Sequence, residues 1–213
     1  MAVYAGLGVV FYLYVKETRS LRHLVVSILS FSIAVALKDE GKFIVAAFLL
    51  SVTLFEGKKG VSTLVRTVSP YFLAFIPAIV WSVVRTKFHF TPFPEFFSGD
   101  VFDRVYGRFV SGEILHPILS LMLLRGRILI ACVPLVVCFF FARRGVRFGG
   151  VLWFPIVVGG VYAALLVAGY MVTPLDVTYH LTDSVDRTAL PIVFMFLVSV
   201  AFWIRAWERA RRN

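Results

Sequence analysis

Val151-Leu152-Trp153-Phe154-Pro155-Ile156-Val157-Val158-Gly159-Gly160-Val161-Tyr162-Ala163-Ala164-Leu165-Leu166-Val167-Ala168-Gly169-Tyr170-Met171-Val172 runs without a single charged residue. A hydrocarbon core about 30 Å thick needs roughly 20 apolar residues in one helix, so this stretch reads as a membrane crossing. Working outward from it, further apolar runs fall at Ala2 to Val15, Leu21 to Leu37, Phe43 to Phe55, Val68 to Val84, Ile128 to Ala142 and Thr188 to Ile204. The expected fold class is therefore all-α, a polytopic transmembrane helix bundle of about seven spans. It is expected to form one transmembrane domain over residues 1–213. Composition points the same way, with 60% hydrophobic and 16% charged residues against roughly 25% charged in soluble domains.

The formal net charge of +10 raises the question of nucleic acid, and the distribution of charge answers it. With crossings that alternate, one set of connections holds Lys16, Arg19, Arg22, Lys58, Lys59, Arg66, Arg143, Arg144, Arg147, Arg205, Arg209, Arg211 and Arg212. Only Glu17, Glu56 and Glu208 accompany them, whereas acids and bases balance on the opposite side. Positive charge collects on the cytoplasmic side of membrane proteins. The excess is thus a topology signal, with the C-terminus cytoplasmic in a multi-pass protein of the cell (plasma or inner) membrane, and no nucleic-acid partner is expected.

Cys132 and Cys138 lie six apart in one apolar run and read as small core residues. His23, His89, His116 and His180 show no ligand spacing, so neither a metal nor a cofactor is expected. Met1 opens directly into an apolar run, with no basic segment before it. That reads as a membrane anchor, or as a chain that begins inside a longer protein.

The long connection from Arg85 to Arg127 holds five Phe between Phe88 and Phe97, interrupted by Pro92 and Pro94. Prolines forbid a continuous helix there, and such aromatics belong at a headgroup interface or over a pocket mouth. Beyond it, Val105/Tyr106, Phe109/Val110, Ile114/Leu115 and Ile118/Leu119 recur on one helical stripe. This predicts an interfacial helix in the long extracytoplasmic loop, broken near Pro117, with Arg104 and Arg108 able to face lipid phosphates. A loop packed on the bundle is the alternative.

The run from Phe43 to Phe55 spans only about 20 Å at 1.5 Å per residue. The preceding turn, Lys38-Asp39-Glu40-Gly41-Lys42, is therefore expected below the outer membrane surface, as the floor of a wet, protein-lined recess. An ordinary surface turn with local membrane thinning is the alternative. A second polar cluster, Asp176 to Arg187, falls on the same side by the charge assignment. Together the clusters offer cations for a lipid phosphate and carboxylates and an imidazole as partners for a sugar or acceptor. Asp183, Ser184 and Asp186 could equally cap the last helix. Arg187 fits capping poorly, because a cation at a helix N-terminus opposes the dipole.

Leu37-Lys38-Asp39-Glu40-Gly41 after an apolar helix, and His180-Leu181-Thr182-Asp183-Ser184-Val185-Asp186-Arg187 with Pro191 following, resemble the C-terminal half of the GT-C superfamily. These are polytopic glycosyltransferases that use polyprenyl-phosphate sugars, similar to protein O-mannosyltransferases and the lipid A aminoarabinose transferase. The resemblance implies sugar transfer on the extracytoplasmic face, with Lys38, Glu40, His180, Ser184, Asp186 and Arg187 as substrate-binding residues. Lys38 and Arg187 would hold phosphate, while Glu40 and Asp186 would orient them or the sugar. The implied partners are a polyprenyl-phosphate-linked sugar and membrane lipid.

The family's general base sits in a large first extracytoplasmic loop, but the first connection here, Lys16 to Ser20, is short and basic. The chain is accordingly expected to be an N-terminally truncated part of a larger glycosyltransferase, with no catalytic residue assigned. A transporter or lipid flippase segment and a non-catalytic membrane scaffold are the alternatives.

Overall fold

The computed structural model describes residues 1–38, 40–88, 100–112, 127–143, 150–172, 182 and 185–212. All secondary structure among them is helical: α1 (Ala2–Thr18), α2 (Leu21–Leu37), α3 (Glu40–Val68), a 3-10 segment (Ser69–Phe75), α4 (Ile76–Lys87), α5 (Val101–Ser111), α6 (Ile128–Ala142), α7 (Gly150–Val172) and α8 (Leu190–Arg212). All seven apolar runs are mainly helical, with Val68 to Val84 divided among the end of α3, the 3-10 segment and α4, and Thr188 to Ile204 crossing a bend at Ala189. Three helices, Ser62–Lys87, Gly150–Val172 and Val185–Arg212, are long and apolar enough to cross a membrane, and Leu21–Leu37 and Ile128–Ala142 are apolar but shorter. Helices suit such a solvent because each satisfies its own backbone groups.

The core sits where α1, α3, α7 and α8 converge. Val9, Tyr12 and Leu13 of α1 meet Ile44, Phe48 and Val52 of α3, Val158 and Tyr162 of α7, and Met195 of α8. Small residues permit close approach between apolar helices. The Phe31 ring of α2 lies over Gly8, where a Cβ would come within 2.8 Å of it, and the buried Ser27 hydroxyl donates to the Gly8 carbonyl at 2.7 Å. Arg19 turns α1 into α2 with a left-handed φ of 54°, its N–H donating to the Val15 carbonyl. The 3-10 segment and α4 form an outer layer on α2, tied there by Ala78 N–H to the Ser32 hydroxyl at 3.1 Å.

The bounds of the third run and of the expected interfacial helix differ from the sequence reading. The third run starts at Glu40 and not at Phe43, because Glu40 and Lys42 form the first helical turn, where a carboxylate is favoured by the helix dipole. It ends at Gly57, whose φ of 66° breaks α3 into two rods, so the first rod is about 25 Å long at 1.5 Å per residue. That is about 6 Å longer than the run from which the recess was expected. Within the stretch where an interfacial helix is expected through Leu119, the described residues form α5, which closes at Gly112 with φ 65°. The remainder of that prediction, from Glu113 past Pro117, lies outside the described residues.

Candidate functional site

At one end of the bundle, α2 stops at Lys38, whose extended backbone lets its carbonyl accept the Gly41 N–H at 2.9 Å. A Cβ on Gly41 would run into the Ala34 carbonyl and the Val35 Cα. The turn is thus packed backbone against backbone, which only glycine permits. Glu40 follows directly, its carboxylate 3.9 Å from the Lys38 ammonium, and both side chains are half-exposed.

The second cluster reaches this end through tyrosines. Ahead of α8, residues 185–188 make a helical turn, followed by a bend at Ala189. Pro191 has no N–H to offer a helix ladder, and the Ile192 N–H bonds back to the Ala189 carbonyl at 3.0 Å. The Thr188 carbonyl is satisfied from the neighbouring helix instead: the buried Tyr162 hydroxyl of α7 donates to it at 3.1 Å. Tyr170, two turns further along α7, shares a 3.1 Å hydrogen bond with the Thr188 hydroxyl. A Cβ on Gly169 of α7 would stand 3.4 Å from the ring of Phe43, one turn after Glu40 in α3. The start of α3 and the 185–189 turn therefore meet at the end of α7.

Four of the six sequence-predicted site residues are described. Lys38 and Glu40 stand at this end, and Asp186 and Arg187 stand exposed on the turn whose buried side is Val185, Thr188 and Ala189. His180 and Ser184 lie outside the described residues. Tyr162, Tyr170 and Thr188, which join the clusters, were missed by sequence reasoning. Nothing local marks them, since a tyrosine in an apolar run reads as an ordinary core aromatic.

α5 closes the side of this end. Arg108 donates from one guanidinium nitrogen to the Tyr170 and Met171 carbonyls, both at 3.0 Å, capping the last turn of α7 where a cation suits the dipole. The sequence reading turned Arg108 toward lipid phosphate. The unpaired carbonyls at a helix C-terminus are the acceptors it finds instead.

At the opposite end a separate polar group forms. Glu56, next to the break at Gly57, accepts the Tyr12 hydroxyl at 2.7 Å and pairs with Lys16 at 2.6 Å. Beside them Glu17 pairs with Arg205 at 3.3 Å and Arg209 at 3.5 Å. A cavity of about 360 Å³, lined by Tyr12, Lys16, Phe55, Glu56 and Phe154 among others, opens here. Among the described residues no three His, Cys, Asp or Glu are grouped to hold a metal ion.

These observations define an all-helical protein with three membrane-length apolar helices and polar groups gathered at two ends. No family model matches the chain, and no curated protein or solved structure does either.

Proposed function

We propose that this chain forms the donor-lipid pocket of a membrane glycosyltransferase, which transfers a sugar from a polyprenyl-phosphate carrier on the extracytoplasmic face. It crosses the membrane seven times, keeps its C-terminus in the cytoplasm and lays α5 at the outer interface. Lys38 and Arg187 hold the lipid phosphate, Glu40 and Asp186 orient these cations or the sugar, and His180 and Ser184 complete the sugar side.

One observation carries this reading: the Lys38–Glu40 corner at the start of α3 and the turn bearing Asp186 and Arg187 both lie by the end of α7, where a Cβ on Gly169 would be 3.4 Å from Phe43 and Tyr170 bonds Thr188. Charges that meet at the edge of apolar helices are a functional-site hypothesis by default. The charge asymmetry supplies the orientation, since Lys16, Arg205 and Arg209 cluster at the other end. The test is binding of a radiolabelled polyprenyl-phosphate sugar to the purified full-length protein. Lys38→Ala and Arg187→Ala should each weaken it about tenfold or more, the effect of losing a charge-assisted phosphate contact. Undiminished binding by both variants ends the proposal.

A transporter or flippase would place broken helices around a central path near the bilayer midplane. The 3-10 break at Ser69–Phe75 lies on the outer layer against α2 and α3, with Phe72 and Leu73 exposed. That position favours the transferase.

A further inference from the structure

We propose that α5 lies in the membrane surface with three arcs of its circumference facing three media, and that Phe102, Tyr106 and Phe109 insert among the lipid chains. At about 100° per residue, the half-buried Val101, Arg104, Val105 and Arg108 share one arc, turned to α7. Phe102, Phe109, Tyr106 and Val110 occupy the next arc, and the three rings are 89%, 76% and 71% exposed. Asp103, Gly107 and Ser111, also exposed, make up the third. A helix with one arc against protein, one aromatic and one polar matches protein, oil and water meeting along its axis.

The depth of α5 decides which medium covers the aromatic arc. Arg108 binds the carbonyls of Tyr170 and Met171, in the last turn of a helix of 23 residues. Such a helix is about 34 Å long, close to the hydrocarbon thickness of about 30 Å. Its final carbonyls therefore sit at the boundary between acyl chains and headgroups, and α5 is pinned at that level. Interfacial helices bury their apolar side about 5–10 Å into this boundary, within reach of a phenylalanine ring. The same level also puts the rings beside the polar end that holds Thr188, through Tyr170. The inference rests on the crossing of α7 proposed above and is independent of sugar transfer.

The full-length protein, with Cys132 and Cys138 changed to alanine, would carry single cysteines through Phe102→Cys, Phe109→Cys, Asp103→Cys, Ser111→Cys or Gly160→Cys. All five positions are exposed, and a Cβ at Gly160, midway along α7, meets nothing. Each is labelled with an environment-sensitive dye in phosphatidylcholine vesicles, then quenched with nitroxide lipid or with iodide. Nitroxide lipid should dim the dyes at 102, 109 and 160, and iodide those at 103 and 111. Iodide quenching at all four α5 positions places the helix in water and overturns the inference. Dyes at 102 and 109 shielded from both quenchers mean that protein covers the arc, a second copy included, and overturn it too. A dye at 160 that lipid fails to quench removes the crossing of α7 itself, and the inference with it.

Discussion

The two ends of the bundle solve the same problem with different chemistry. Around Glu56 and Glu17, carboxylates are engaged by Lys16, Arg205 and Arg209, and the Lys16 contact is 2.6 Å. Around Thr188 the joining bonds come from neutral hydroxyls, Tyr162 to a carbonyl and Tyr170 to a hydroxyl, whereas the Lys38–Glu40 pair there is loose at 3.9 Å. Neutral hydroxyls hold a backbone in an apolar setting without the desolvation penalty of ions. The fold at the second end therefore does not depend on Lys38 and Glu40. Their charges would matter to a ligand more than to folding.

Gly41→Leu should have the largest effect on this contrast, since the added side chain must separate α2 from α3. Overpacking of this kind costs about 3 kcal/mol or more where backbone blocks relaxation, read as loss of a monodisperse, cooperatively unfolding protein in detergent. Glu56→Ala comes next, because it leaves the buried Tyr12 hydroxyl and Lys16 without their shared acceptor. A loss of about 2 kcal/mol is expected, and a double-mutant cycle with Tyr12→Phe should show coupling. Thermal stability unchanged by Glu56→Ala would remove the ionic half of the comparison.

Tyr162→Phe should lower stability by about 1–2 kcal/mol, since it strips the donor from a buried carbonyl. Hydrogen exchange should quicken around the bend at Ala189 more than in α1. Lys38→Ala is the smallest, within about 0.5 kcal/mol for a half-exposed pair at this separation. Its visible consequence should be weaker donor binding, so a large drop in melting temperature would make Lys38 a structural residue.

Much of the fold was legible because hydrophobic runs in a membrane solvent leave the backbone few options. The runs from Leu21 and Val151 appear as helices with nearly the expected bounds. The ends of the third run were not legible. Gly57 lies among polar residues that read as a connection, and Glu40 belongs to a helix because its carboxylate suits the first turn. The candidate site was half legible. Charged residues advertise themselves in apolar sequence, but Tyr162 and Tyr170 look like ordinary core aromatics until the neighbouring bend at Ala189 supplies their acceptors.

The sequence alone determined that the chain is helical, which stretches are apolar, and that charge is confined largely to the segments between them. Those properties follow from local composition and from the need of each helix to satisfy its own hydrogen bonds. Only the tertiary structure decided that Thr188 is hydrogen-bonded by Tyr162 and Tyr170, that Glu56 gathers Tyr12 and Lys16, and that Arg108 turns inward to α7. Each of these joins residues distant in the chain, and such a partner is fixed by how helices pack, which no local pattern encodes.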